Sequence, residues 1–165
     1  MGWNIHQLVL GVHILFGIMW VGGILFVGWG VFPAMKRLDF TSQQQFLQAL
    51  MGWTHRLLSL IGAAVIVTGV ALGTAFGPVR EWSTLWNTSY GQHFILAFGL
   101  GLATLGWGAF VSYRYSMKVI RDGTLWGMAG QGYPMLLNRA LRRVTAVSGV
   151  EVLGFIALLA VMLSF

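Results

Sequence analysis

The chain has 165 residues, of which 57% are hydrophobic and only 8% charged, and its net charge is +6. Ordinary soluble domains carry roughly 25% charged residues, and a chain this short cannot bury so much apolar surface. The composition therefore excludes a soluble globule and leaves the surplus to lipid. Nucleic acid is not the partner of the basic excess, because the lysines and arginines stand beside the ends of apolar segments, where they set membrane topology. Cysteine is absent, which excludes disulfides, thiolate metal sites and covalent c-type haem attachment.

Residues 5–33 form the first expected span, long enough to cross a hydrocarbon core of roughly 30 Å as a helix. They contain no Asp, Glu, Lys or Arg but include two histidines. His6, His13 and Trp20 are seven residues apart, so they share one helical face. The segment lacks the basic flank of a signal peptide and its apolar run is too long for one, so it reads as a spanning helix. Pro33 fits a helix running out at the interface. In the linker, Thr41 or Ser42 is a candidate N-cap for the next helix.

The second span, about 46–76, becomes fully apolar after Arg56. His55, Gly62 and Gly69 make another stripe spaced by seven. Gly62, Gly69 and Gly73 allow close approach of either a neighbouring helix or a flat ligand. Residues 77–91 carry Trp82, Trp86 and Tyr90, an aromatic belt on a short surface helix or a plain connection. The third span, about 92–115, holds His93 in its first turns. A loop ending in a flexible WGMAGQGYP stretch follows, and the fourth span occupies about 140–163. Within that last span Glu151 is the one acidic residue in apolar sequence.

Nine of the ten lysines and arginines fall in loops one and three with their helix extensions, against Arg80 alone in the middle loop. By the positive-inside rule both termini face outward. The expected fold is all-α: an integral-membrane four-helix bundle, antiparallel and up-and-down, multi-pass in the inner (plasma) membrane with lipid around it.

The histidines point to a metal. Imidazole is the usual axial ligand of b-type haem and also suits copper or zinc. Two histidines on different helices at similar depth, facing glycines, are the minimal recipe for a bis-histidine haem b. His13 with His93 is the leading pair, and His6 is a third candidate ligand. The plainer alternative makes His6 and His93 interfacial and lets His13 hydrogen-bond a neighbouring helix. On the other side, His55 or Arg56 is a candidate contact for a haem propionate or a quinone headgroup, unless Arg56 simply snorkels to the interface. Glu151 either pairs with Arg56 or Arg143 or handles protons coupled to redox chemistry. Trp20 and Trp107 either pack on a macrocycle or fill the bundle. The eight methionines are scattered along the sequence, with no close pair inside a span, which gives a copper conduit little support.

The run His13-x6-Trp20-Val21-Gly22-Gly23 resembles the first span of the copper-resistance protein D (CopD-like) membrane family. Arg56 opening span two, Thr68-Gly69 near its end, and Leu141-Arg142-Arg143 leading to Glu151 agree with that pattern. The haem-binding membrane protoporphyrinogen oxidases of the HemJ type share a first-span histidine and a four-span core. The resemblance implies a four-helix membrane module tied to copper uptake in some members and to b-haem in others. His93 stands where those families more often place a lysine, and His55 before Arg56 is an addition. Both departures favour ligation by two histidines.

The functional expectation is a membrane b-type cytochrome exchanging electrons with quinone, an oxygen species or a redox protein. Glu151 and Arg56 are its candidate catalytic groups, and His13, His93, His55, Trp20, Gly62 and Gly69 would surround the cofactor. The alternatives are copper transport or resistance and a non-catalytic membrane subunit, and a homo-oligomer is compatible with each.

Overall fold

The computed structural model describes residues 4–164. Four long helices dominate: α1 (Ile5–Met35), α2 (Phe40–Thr74), α4 (Ser89–Ile120) and α6 (Met135–Met162), each long and apolar enough to cross a membrane. Two short helices join them, α3 (Trp82–Asn87) and α5 (Gly123–Gly130). The chain runs up and down through the bundle. α1 packs mainly on α2 and α4 mainly on α6, with α2 against α4 closing the group, whereas α1 and α6 barely touch. Large apolar side chains such as Ile18, Leu60, Val67, Phe110 and Leu153 cover the outside. That surface is tolerable only against lipid tails.

Local chemistry sets the helix ends. At α1, Asn4 Oδ1 accepts from the Gln7 amide (2.9 Å) and Gln7 Oε1 accepts from the Asn4 amide (3.2 Å), a reciprocal capping box. The cap of α2 is Asp39, whose carboxylate accepts from the Ser42 amide at 3.0 Å, and not Thr41 or Ser42 as the sequence suggested. A carboxylate suits that position doubly, since it also faces the positive end of the helix dipole. Between α3 and α4 the backbones come so close that a Cβ on Gly91 would lie 2.6 Å from Leu85 Cα. Only glycine fits there.

Two π-helical turns interrupt the long helices, Phe26–Val31 in α1 and Trp107–Ser112 in α4. The first lies just before Pro33, which was expected to end the helix but sits inside it. Proline lacks an N–H and clashes with the carbonyl four residues back. The wider turn loosens the ladder where that clash would fall, and the helix continues to Met35.

The helices also run further than their apolar cores at the end carrying Lys36, Arg37, Arg121, Arg142 and Arg143, here termed the basic end; the opposite one is the terminal end. At the basic end Met35, Leu47, Met117, Ile120, Leu137 and Leu141 form the largest buried cluster. α5 completes it. Of the stretch read from sequence as flexible, residues 126–130 belong to this helix, which Asp122 caps, while 131–134 form a turn with Gly132 at φ 96°; Trp126 is buried with Nε1–H donating to the Val119 carbonyl at 3.2 Å.

Candidate functional site

The polar groups of the bundle fall at two levels separated by a plug. At the plug, Trp20 packs against Gly62, where a Cβ would come within 2.8 Å of the indole. Its ring meets Phe155 edge-on at 5.0 Å, and Ile61 and Leu105 complete the seal. Gly62 thus admits a tryptophan of the protein itself.

Toward the terminal end lies His13. Its Nδ1 is 2.9 Å from Thr68 Oγ1. That hydroxyl also stands 2.7 Å from the Ala64 carbonyl and 3.0 Å from that of Val65, which can only accept. The threonine proton is therefore directed to its own helix, so His13 is the donor and Nδ1 carries its proton. Nε2 is left with the lone pair. Gly69 makes room for the ring, since a Cβ there would lie 3.1 Å from His13 Cε1. His93 shows the same tautomer for a similar reason: its Nδ1 is 2.7 Å from the Ser89 carbonyl one turn back. Phe94 packs onto Gly73, one turn along α2 from the Gly69 that holds His13. That corresponds to roughly 6 Å along the axis. His6 is exposed near the chain start, its ring 5.9 Å from that of Phe76.

Between the plug and the basic end is a cavity of about 230 Å³, bordered by both π-helical turns. Neither His13 nor His93 reaches it; His55, Trp20 and Glu151 do. His55 stacks on Tyr113, centroids 3.6 Å apart and planes 8° from parallel. Arg56, its neighbour in sequence, is exposed and does not line the space.

Glu151 is buried on α6, and no ion pair to it is found among the described residues, neither with Arg56 nor with Arg143. Its polar neighbour is Ser112 on α4 instead. Ser112 and Ser148 share a hydrogen bond of 2.9 Å in which either hydroxyl can donate. The three side chains therefore cluster where α4 meets α6. Gly108 allows the approach, because a Cβ there would lie 3.0 Å from the carboxyl carbon. The sequence reading missed Gly108, Ser112 and Ser148. The spacing of Gly108 and Ser112, four residues apart opposite an acid, was the available signal.

Trp107, the other mid-span tryptophan, donates from Nε1 to the Val147 carbonyl at 2.9 Å and ties α4 to α6. Among the described residues no three His, Asp or Glu side chains are grouped so as to hold a metal ion. Comparison with known proteins finds no matching family model, no matching curated protein and no matching solved structure.

Proposed function

We propose that the protein is a b-type cytochrome of the inner (plasma) membrane, with both termini outside, exchanging electrons with a lipid-soluble carrier. The observation that carries this reading is the fixed tautomer of His13. A histidine whose Nδ1–H is held by a neighbour and whose Nε2 keeps its lone pair is the form in which imidazole binds iron. His93, on a second span, likewise donates from Nδ1, to the Ser89 carbonyl.

The donor chemistry fits haem b, and His13 and His93 are the residues that would hold it. When bound, the group would supply a one-electron redox couple. The chain's own contribution is to orient His13 through Thr68, with Gly69 making room for its ring, and to keep water away with Trp20 and Phe155.

The test is a reduced-minus-oxidised absorption spectrum of protein purified from haem-replete cells. A b-type band that is lost in His13→Ala and in His93→Ala is the expected result. A wild-type preparation without haem would refute the reading. A copper-handling protein is the second reading, favoured by one observation: Met35 and Met117 share the buried cluster at the basic end, with Met51 packed against it. Thioethers suit cuprous ion, so stoichiometric copper in haem-free protein would select it.

A further inference from the structure

Nine of the ten lysines and arginines gather at the basic end, against two acids, Asp39 and Asp122. Both carboxylates are engaged as helix caps: Asp39 accepts from the Ser42 amide at 3.0 Å, and Asp122 from those of Thr124 and Leu125 at 3.1 and 3.2 Å. Arg114, Lys118 and Arg121 are exposed, and no ion pair to any of them is found among the described residues. Their counter-charge comes from outside the chain.

The three form one stripe. Arg114 and Lys118 lie on the last turns of α4, and Arg121 follows as its C-cap with helical φ and ψ of −84° and −6°. Its amide still donates to the Met117 carbonyl at 3.0 Å, so the helical register holds through all three. Lys118 stands about 6 Å along the axis from Arg114 and about 4.5 Å from Arg121. Together with Tyr113 and Met117 they line a surface recess of about 270 Å³. Its apolar members are held in place, because Met117 belongs to the buried cluster and Tyr113 packs on that cluster while stacking on His55. One anionic group at the level of Lys118 is within a turn of both arginines.

Chain direction decides which anion this suits. Side chains on a helix lean toward its N-terminus. α4 reaches the basic end from within the membrane, so its cations lean back toward the hydrocarbon. The Arg114 guanidinium accordingly lies 5.9 Å from the centroid of the Phe110 ring, a turn deeper, instead of reaching for water. Phe110 is 63% exposed and Val111 beside it 42%, so the cationic stripe continues directly into the lipid-facing surface. α6 runs the opposite way. Its Arg139, Arg142 and Arg143 stand near its N-terminus and lean away from the bilayer into water.

We propose that the recess on α4 seats the phosphate of an anionic phospholipid from the leaflet at the basic end. Arg114, Lys118 and Arg121 share the phosphate, and an acyl chain lies along Phe110. A soluble phosphate would gain nothing from that apolar continuation. The site is remote from His13 and His93 and needs no haem, so it stands or falls apart from the redox reading.

The experiment is a lipid titration of the purified full chain in detergent, read by native mass spectrometry as the dissociation constant of the first lipid bound. The probes are dioleoyl phosphatidylglycerol and dioleoyl phosphatidylcholine, which share their chains and differ in net charge. Glycerol 3-phosphate in excess serves as a competitor without chains. Phosphatidylglycerol should bind at least about tenfold more tightly, since each cation at a membrane surface favours an anionic lipid by roughly fivefold. The triple change Arg114→Gln, Lys118→Gln, Arg121→Gln should abolish that preference, and Lys118→Gln alone should lower it by about fivefold. The triple change Arg139→Gln, Arg142→Gln, Arg143→Gln removes the same charge from α6 and should leave the preference in place. All these positions are exposed, so circular dichroism and melting temperature should match the wild type. Equal binding of the two lipids would overturn the proposal. So would an equal loss in both triple variants, which would mean diffuse charge attraction, or displacement of the lipid by glycerol 3-phosphate, which would mean a site for soluble anions.

Discussion

Thr68 determines which nitrogen of His13 is offered. Replacing it with valine keeps the shape but leaves the Nδ1–H without its acceptor, which costs about 1–3 kcal/mol for a buried donor. Thr68→Val should lower the melting temperature in detergent and reduce haem retention, by about ten- to a hundredfold in affinity if His13 is a ligand. Thr68→Ser should restore both. A second residue-scale prediction concerns Asp39. Its carboxylate accepts from Ser42, which holds its pKa below the ordinary aspartate range. A lowered folded-state value means that the cap stabilises α2 fully above the unfolded pKa, and that the contribution fades as pH falls through the folded one. Amide exchange at Ser42 and Gln43 should accelerate over that acidic window, beyond its intrinsic pH dependence. Asp39→Asn should remove this extra dependence. The cap itself was misplaced from sequence by two or three residues. Asp, Thr and Ser are all good caps, and only the backbone decides which of them adopts the extended conformation.

At the scale of elements, the short helix α5 shows where sequence reading stops. Glycines at 127, 130 and 132 lower helix propensity, so WGMAGQGYP reads as a loop. Burial of Trp126 against α2 and α6 overrides propensity, and that contact is invisible along the chain. Trp126→Ala should cost about 3–5 kcal/mol, as large-to-small changes at well-packed aromatic sites do. The loss should appear as earlier thermal unfolding and as faster proteolysis between residues 121 and 134. The π-helical turns were equally hidden. Pro33 signalled an ending because its clash is local, and the neighbouring turn that relieves it carries no compositional mark.

For the whole molecule, the four apolar helices were plain from hydropathy, because a lipid-facing helix must be apolar nearly all round. The same uniformity hid the interior. Period-seven stripes located His13, Trp20, Gly62 and Gly69 on faces, yet they could not say that Gly62 receives Trp20 and Gly69 receives His13. Nor could they reveal that Glu151 lies against Gly108 and Ser112 rather than an arginine, since helix faces give no partner until the order of helices around the bundle is known.

The proposed orientation rests on charge alone and is directly testable. The basic end carries nine of ten cationic side chains, and the positive-inside rule assigns such short loops to the cytoplasmic side. The chain has no cysteine, so any introduced thiol is unique. Ser83→Cys, on exposed α3 at the terminal end, should react with a membrane-impermeant maleimide in intact cells. Tyr133→Cys, exposed beyond α5, should react only after permeabilisation. The reverse pattern would invert the topology and place the histidine level on the cytoplasmic side.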